Sequence, residues 1–147
     1  MKGFTFIALL ATPLLAHAAP ACTSASNADI AGLFDHWNNA LQSGDPAQVA
    51  ATYQPDAVLL PTLSNQVRLT SAERLDYFEH FLASKPSGRI VSRTIQTRCD
   101  SALDAGVYEF TFGTTGKQVQ ARYSYTYNWD GERWLIGSHH SSVMPQG

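Results

Sequence analysis

The run Trp134-Leu135-Ile136-Gly137-Ser138-His139-His140-Ser141-Ser142-Val143-Met144-Pro145 closes the chain with an apolar, tryptophan-led stretch that follows an Asp130-Gly131 turn. Asp-Gly between two such runs is a hairpin signal, so the stretch is expected to be a strand. Neighbours on a strand point to opposite faces, which keeps His139 and His140 out of one site. Trp134, Ile136, Ser138 and His140 share a face, and its two apolar members set that face against a core. His140 is therefore expected inside the domain or at the mouth of a cavity, with His139 facing the other way. A buried imidazole needs a hydrogen-bond partner, and a strand end is where a pocket would use one. A satisfied core histidine is the competing reading.

Working back from the tail, residues 90–99, 106–112 and 118–129 also read as strands, separated by Asp100-Ser101 and Gly113-Thr114-Thr115-Gly116. Upstream lie helices. Ser26-Asn27-Ala28-Asp29 is a helix start, and Ile30, Leu33, Phe34, Trp37, Ala40 and Leu41 recur at helical spacing up to Gly44. Asp45-Pro46 restarts a short helix to about Tyr53, and Thr70-Ser71-Ala72-Glu73 is a capping box for a third, burying Leu75, Phe78 and Leu82. Between them residues 57–60 form an apolar strand and 67–69 a short one. Helices first and hairpins afterwards imply an α+β domain, with helices packed on one face of a curved antiparallel sheet.

On the long strand, Arg122, Ser124, Thr126 and Asn128 share one face, and Tyr123, Tyr125, Tyr127 and Trp129 the other. Such an aromatic ladder is expected to form a subunit interface. The polar face would then line the cavity, with Arg122 as its anion anchor. Tyr108, Phe110 and Phe112 alternate as core or pocket wall. Asp56 reads as a turn cap, Glu109 as a solvated or interface carboxylate, and His36 and His80 as surface residues. Ser141-Ser142 lacks the surroundings of a nucleophile elbow. No metal site or cofactor is expected, because the histidines are scattered and neither cysteine has a partner at ligand spacing.

Lys2, the apolar stretch from Phe4 to Leu15 and Ala16-His17-Ala18 read as a signal peptide spanning residues 1–18, leaving one domain at 19–147 and a periplasmic or secreted product. A lipoprotein anchored at Cys22 is the alternative, weakened by Ala19-Pro20-Ala21 before the cysteine. No later run is long enough to span a bilayer. Removing the signal leaves nine basic against twelve acidic residues, a weak net acidity that argues against nucleic acid or an anionic membrane as partner. Cys22 and Cys99 are the only cysteines, and in an oxidising compartment a disulfide between them is expected, worth about 4 kcal/mol in the chain-entropy account.

The order of elements resembles the cone-shaped nuclear transport factor 2-like fold shared by SnoaL-like polyketide cyclases and ketosteroid isomerases, in which three helices cover the concave face of the sheet. The segments Trp37 to Asp45, Tyr53-Gln54-Pro55-Asp56-Ala57 and Tyr77 to Leu82 fit that fold. Above all, Asp130-Gly131 to Trp134 followed by His140-Ser141-Ser142 and Pro145 resembles the association (hub) domain of calcium/calmodulin-dependent protein kinase II, in its stand-alone exported bacterial form. The resemblance implies a concave pocket and self-association through sheet edges and outer face. The hub pocket carries arginines. Here Ser124 lies nearer the place of one and Phe112 the place of another, so Arg122 alone supplies the charge.

Two classes of function follow. One is a self-associating, non-enzymatic domain, at least a homodimer through Tyr123, Tyr125 and Tyr127. Its pocket, of Arg122, His140, Tyr108, Trp37 and Ser124, would take a small molecule such as a carboxylate. The other is a small isomerase- or cyclase-type enzyme with His140 as acid–base and a tyrosine as oxyanion donor. The first is preferred, because no acid partner for the imidazole is evident.

Overall fold

The computed structural model describes residues 22–145, so the expected signal peptide lies outside the described residues. Helix α1 (Asn27–Ser43) starts at a capping box in which Ser26 and Asp29 bond reciprocally, and stops at Gly44, whose φ of 73° is the left-handed cap. Helix α2 (Pro46–Ala50) begins on Asp45, and α3 (Ser71–Leu82) on the Thr70–Glu73 capping box. The five strands are β1 (Tyr53–Leu60), β2 (Pro86–Arg98), β3 (Ser101–Phe112), β4 (Gln118–Trp129) and β5 (Trp134–Val143). They form one sheet in the order β1-β5-β4-β3-β2, with β1 parallel to β5 and every other pair antiparallel. The fold is thus the α+β, nuclear transport factor 2-like cone expected from the order of elements.

Two local readings shift. The segment around 67–69 makes a single bridge, Leu59 to Arg68, rather than a strand. Strand β1 begins at Tyr53, before Pro55, and its register with β5 breaks between Tyr53 and Val58. Proline is tolerable there because β1 is a sheet edge. The carbonyls of Gln54, Pro55 and Ala57 are taken up by the Arg74 guanidinium of α3, which is itself buried.

The helices cover one face of the sheet, and the core lies between. Phe34, Trp37 and Phe78 from the helices meet Tyr108 and Phe110 of β3 and Tyr123, Tyr125 and Tyr127 of β4. Those three tyrosines are 3%, 0% and 1% exposed within a single chain, so they cannot form the expected subunit interface. The alternation expected along β4 is present, with its two faces reversed: the tyrosines face the core, and Arg122, Ser124, Thr126 and Asn128 lie on the other side. Aromatic area is what fills this core, and the small and hydroxyl side chains of the other face are left to the uncovered side.

Strand β5 departs from strict alternation. Tyr125 pairs with His139 and Thr126 with Ser138, yet Tyr127 pairs with Ile136, so Gly137 is an extra, unpaired residue. One bulged residue reverses the facing of everything beyond it. Ile136 and His139 therefore both point inward, while His140 is exposed. A Cβ at Gly137 would sit 2.3 Å from the Asn128 amide nitrogen, which donates to Gln54 across the bulge at 2.9 Å. A second bulge, at Val91 of β2, brings Ser92 so near Gly106 that a side chain at 106 would strike its carbonyl.

Cys22 and Cys99 are disulfide-bonded across 77 positions of sequence, as expected. The tie is reinforced where Asp100 accepts from Thr23 N–H through its carboxylate at 2.8 Å and donates its own N–H to the Thr23 carbonyl at 3.0 Å. Among the described residues no helix is long and apolar enough to cross a membrane.

Candidate functional site

A cavity of about 50 Å³ lies between the sheet and the helices. Its walls are Trp37, Phe78, Phe81, Phe110, Phe112 and Leu59, and half-buried Pro61 and Thr62 with exposed Leu63 close its outer side. The polar groups among its lining residues are few. They belong to His139 and Ser141 on β5, Tyr108 on β3, Thr62 in the loop after β1, Tyr77 on α3 and the Trp37 indole.

His139 is the centre of this set and is fully enclosed. Its ring stacks on Tyr125 with centroids 4.1 Å apart, and Trp37 meets it edge-on at 5.5 Å. Nδ1 lies 2.9 Å from the Tyr53 hydroxyl and Nε2 lies 3.3 Å from the Tyr108 hydroxyl. Tyr53 in turn accepts the Trp37 indole N–H at 3.1 Å. Burial, with a smaller repulsion from His140, pushes the His139 pKa from 6.5 down to about 3, so the ring is neutral.

The roles of the two ring nitrogens follow from the far end of the chain. An indole N–H only donates. Tyr53 already accepts from it, so the hydroxyl hydrogen of Tyr53 is directed at Nδ1, which accepts. The proton of neutral His139 then sits on Nε2 and points at Tyr108. Tyr108 is left with its own hydrogen to give onward into the cavity, and burial pushes the phenol's pKa strongly up. Ser141 and Thr62 hydroxyls are 2.7 Å apart at the end of the row. The row Trp37–Tyr53–His139–Tyr108 thus carries hydrogens in one direction, into the cavity, where the Ser141–Thr62 pair lies beside its end. It suits an acceptor of hydrogen bonds, and small size is imposed by the aromatic walls.

The expected site divides between two places. Trp37 and Tyr108 line the cavity, as described. Arg122, Ser124 and His140 do not. They share a shallow depression with Ser142 on the outer face of the sheet, where Arg122 is paired across β4 and β5 with Ser142, and Ser124 with His140. The bulge at Gly137 is the reason for His140; for Arg122 and Ser124 it is the exchange of faces on β4. Glu109, read as solvated or interfacial, is buried on that outer face between Arg89 at 2.8 Å and Gln120 at 3.1 Å. His139, Ser141 and Thr62, which line the cavity, and Tyr53, which stands behind His139, are not among the expected site residues. The one signal that could have found His139 is the glycine inside a strand pattern, a mark of a bulge. Among the described residues no group of three or more His, Cys, Asp or Glu side chains could hold a metal ion.

The sequence pattern of the calcium/calmodulin dependent protein kinase II association domain matches residues 26–145. A solved structure from Xanthomonas campestris, assigned to the same association domains, is 46% identical and covers 89% of this chain and 100% of its own, with a TM-score of 0.77. A nuclear transport factor 2-like protein of unknown function from Pseudomonas putida is 17% identical, covers 84% of this chain and 92% of its own, and has a TM-score of 0.72. A cyanobacterial iota-carbonic anhydrase in complex with bicarbonate is 18% identical, covers 94% and 100%, and has a TM-score of 0.73; at that identity the likeness is one of fold. No curated protein sequence matches.

Proposed function

The chain belongs to the calcium/calmodulin dependent protein kinase II association domain family, and from that premise we propose that its cavity binds a small planar oxyanion of bicarbonate's size and interconverts it with carbon dioxide. The observation that carries this reading is the row of hydrogen bonds that passes through neutral His139 and presents hydroxyl donors in a small aromatic-walled cavity. An apolar wall suits carbon dioxide, which has little need of hydrogen bonds. The hydroxyl hydrogen of Tyr108 and the one left free by the Ser141–Thr62 pair suit the oxygens on which negative charge grows when water attacks the carbon. Such pre-aligned donors in a dry site stabilise the developing oxyanion at little reorganisation cost. As the new carbon–oxygen bond forms, the attacking water gives up one proton to solvent past the Thr62–Leu63 loop, and bicarbonate remains. The bicarbonate complex of the carbonic anhydrase with this fold adds support from outside the chain. Acid–base chemistry at His140 has no place in this reading, because His140 is outside and His139 acts as a link that orients donors.

The test is stopped-flow hydration of carbon dioxide, or oxygen-isotope exchange, on the purified domain. Ser141→Ala and Tyr108→Phe should each lower the rate by about 100-fold, the usual loss for one oxyanion donor. No hydration above background by the unaltered protein would sink the enzymatic part of the reading, and no bicarbonate binding would sink the rest.

Self-association and export belong to the same proposal. The family is named for association, and the sheet face opposite the helices is uncovered. Leu60 of β1 and His140 of β5 sit side by side there, with Leu60 38% exposed. Light scattering on the purified protein should show more than one subunit, and Leu60→Glu should shift it towards monomer. A monomer from the outset removes association as a property of this chain. The disulfide supports folding in an oxidising compartment; recovery of the protein from the periplasmic fraction with the first 18 residues removed is the expected result.

A further inference from the structure

We propose that Trp37, which only borders the cavity, acts through Tyr53 as the positioning residue that sets the hydrogen-bond polarity of the site and so its selectivity for anions. The inference rests on the oxyanion reading above for its ligand, but its first readout does not.

Trp37 is 2% exposed, and its indole N–H has one partner, the Tyr53 hydroxyl at 3.1 Å. Tyr53 is 4% exposed, and its hydroxyl hydrogen has one acceptor in reach, His139 Nδ1 at 2.9 Å. Among the described residues the ring of His139 has two hydrogen-bond partners, the Tyr53 and Tyr108 hydroxyls. Each of these groups except the indole can turn round: a phenol donates or accepts, and a neutral imidazole exists in two tautomers. The indole cannot. It is the one member of the row whose role is set by its covalent structure, so it decides the sense of all the others.

Without the indole N–H the row can run backwards. His139 would carry its proton on Nδ1 and give it to Tyr53. Nε2 would then accept from Tyr108, whose hydrogen would point away from the cavity. The phenol would face a ligand with lone pairs, and an anion there would meet repulsion where it met a donor. A residue three hydrogen bonds removed from Tyr108 thereby determines whether the cavity attracts bicarbonate. Packing alone does not require a tryptophan at this place, since Phe34 and Phe78 fill adjoining parts of the same core without any polar atom.

The experiment uses the whole mature chain labelled with nitrogen-15 histidine. Two-dimensional long-range nitrogen–proton spectra identify the tautomer of His139, the one fully buried histidine among the described residues. The unaltered protein should show the proton on Nε2. Trp37→Phe should move it to Nδ1 or populate both forms, whereas Tyr53→Phe, which removes the hydroxyl that must accept from Nδ1–H in the reversed row, should hold it on Nε2. Bicarbonate titrated into the same samples should bind roughly tenfold more weakly to Trp37→Phe, the factor that one hydrogen bond to an anion carries, and with little change to Tyr53→Phe. His139 still on Nε2 in folded Trp37→Phe, with affinity unchanged, would overturn the proposal. A tautomer that moves as expected in a protein that never binds bicarbonate would uphold Trp37 as the positioning residue and overturn the choice of ligand.

Discussion

Two clusters of polar side chains are buried beneath the same sheet, and they meet the cost of burial in opposite ways. Around Asp104 of β3 the solution is ionic. The carboxylate is fully buried, accepts from the Tyr123 hydroxyl at 2.8 Å and pairs with Arg93 of β2 at 3.1 Å. Burial outweighs both partners and raises the carboxyl above its ordinary value. Around His139 the solution is neutral, with no charge on any member of the row. The ionic cluster spends its bonds on itself. The neutral row is open at one end, where Ser141 and Thr62 border the cavity. A closed ion pair holds two strands together, whereas an open neutral row has a donor left over for a ligand.

The largest effect that tests this contrast is the pH dependence of stability. In the unfolded chain His139 titrates near 6.5, and in the folded protein only near 3. Between those values the unfolded state binds the extra proton, so stability falls as pH falls and is fully restored above about 6.5. The loss across the window should approach about 5 kcal/mol as an upper bound. Denaturant titrations at intervals from pH 7 to pH 3.5 on the parent and on His139→Gln should show it as the difference between two slopes. Parallel curves would mean that the ring is not held neutral.

Next in size is the ion pair. Asp104→Ala leaves the Arg93 guanidinium, over the Phe34 ring at 5.7 Å, without its carboxylate. The expected loss is about 3 kcal/mol of unfolding free energy, with the tautomer of His139 and the binding of bicarbonate preserved. If bicarbonate binding collapses while the fold persists, the two clusters are coupled and the contrast fails. The smallest effect concerns the outer depression. Arg122→Ala and His140→Ala should each change bicarbonate affinity by less than about twofold, since neither side chain reaches the cavity. A tenfold loss with either would return the binding site to the outer face.

The legible and illegible parts of the molecule separate along similar lines. Helix starts at Ser26 and Thr70 were legible because a cap is a local contract between side chain and backbone a few residues apart. The alternation of β4 was legible too, and Tyr108 and Trp37 were placed beside the cavity by the same kind of reasoning. Which face of β4 turned inward was not. A row of tyrosines reads equally well as core or as interface until the helices are seen to cover it. His139 was lost to one residue, Gly137, because a bulge reverses the side of every later side chain.

The amino-acid sequence by itself determined the elements, their order, the fold, the family and the cysteine pair, since these depend on local propensity, on spacing and on a tail motif distinctive enough to identify. Only the tertiary structure decided which histidine is inside, that Tyr53 and Trp37 stand behind it, and that Arg122 and His140 lie outside. The physical reason is that facing in a sheet is a cumulative count. A single unpaired residue, held by the Asn128–Gln54 amide contact from two other strands, changes the count for all that follows.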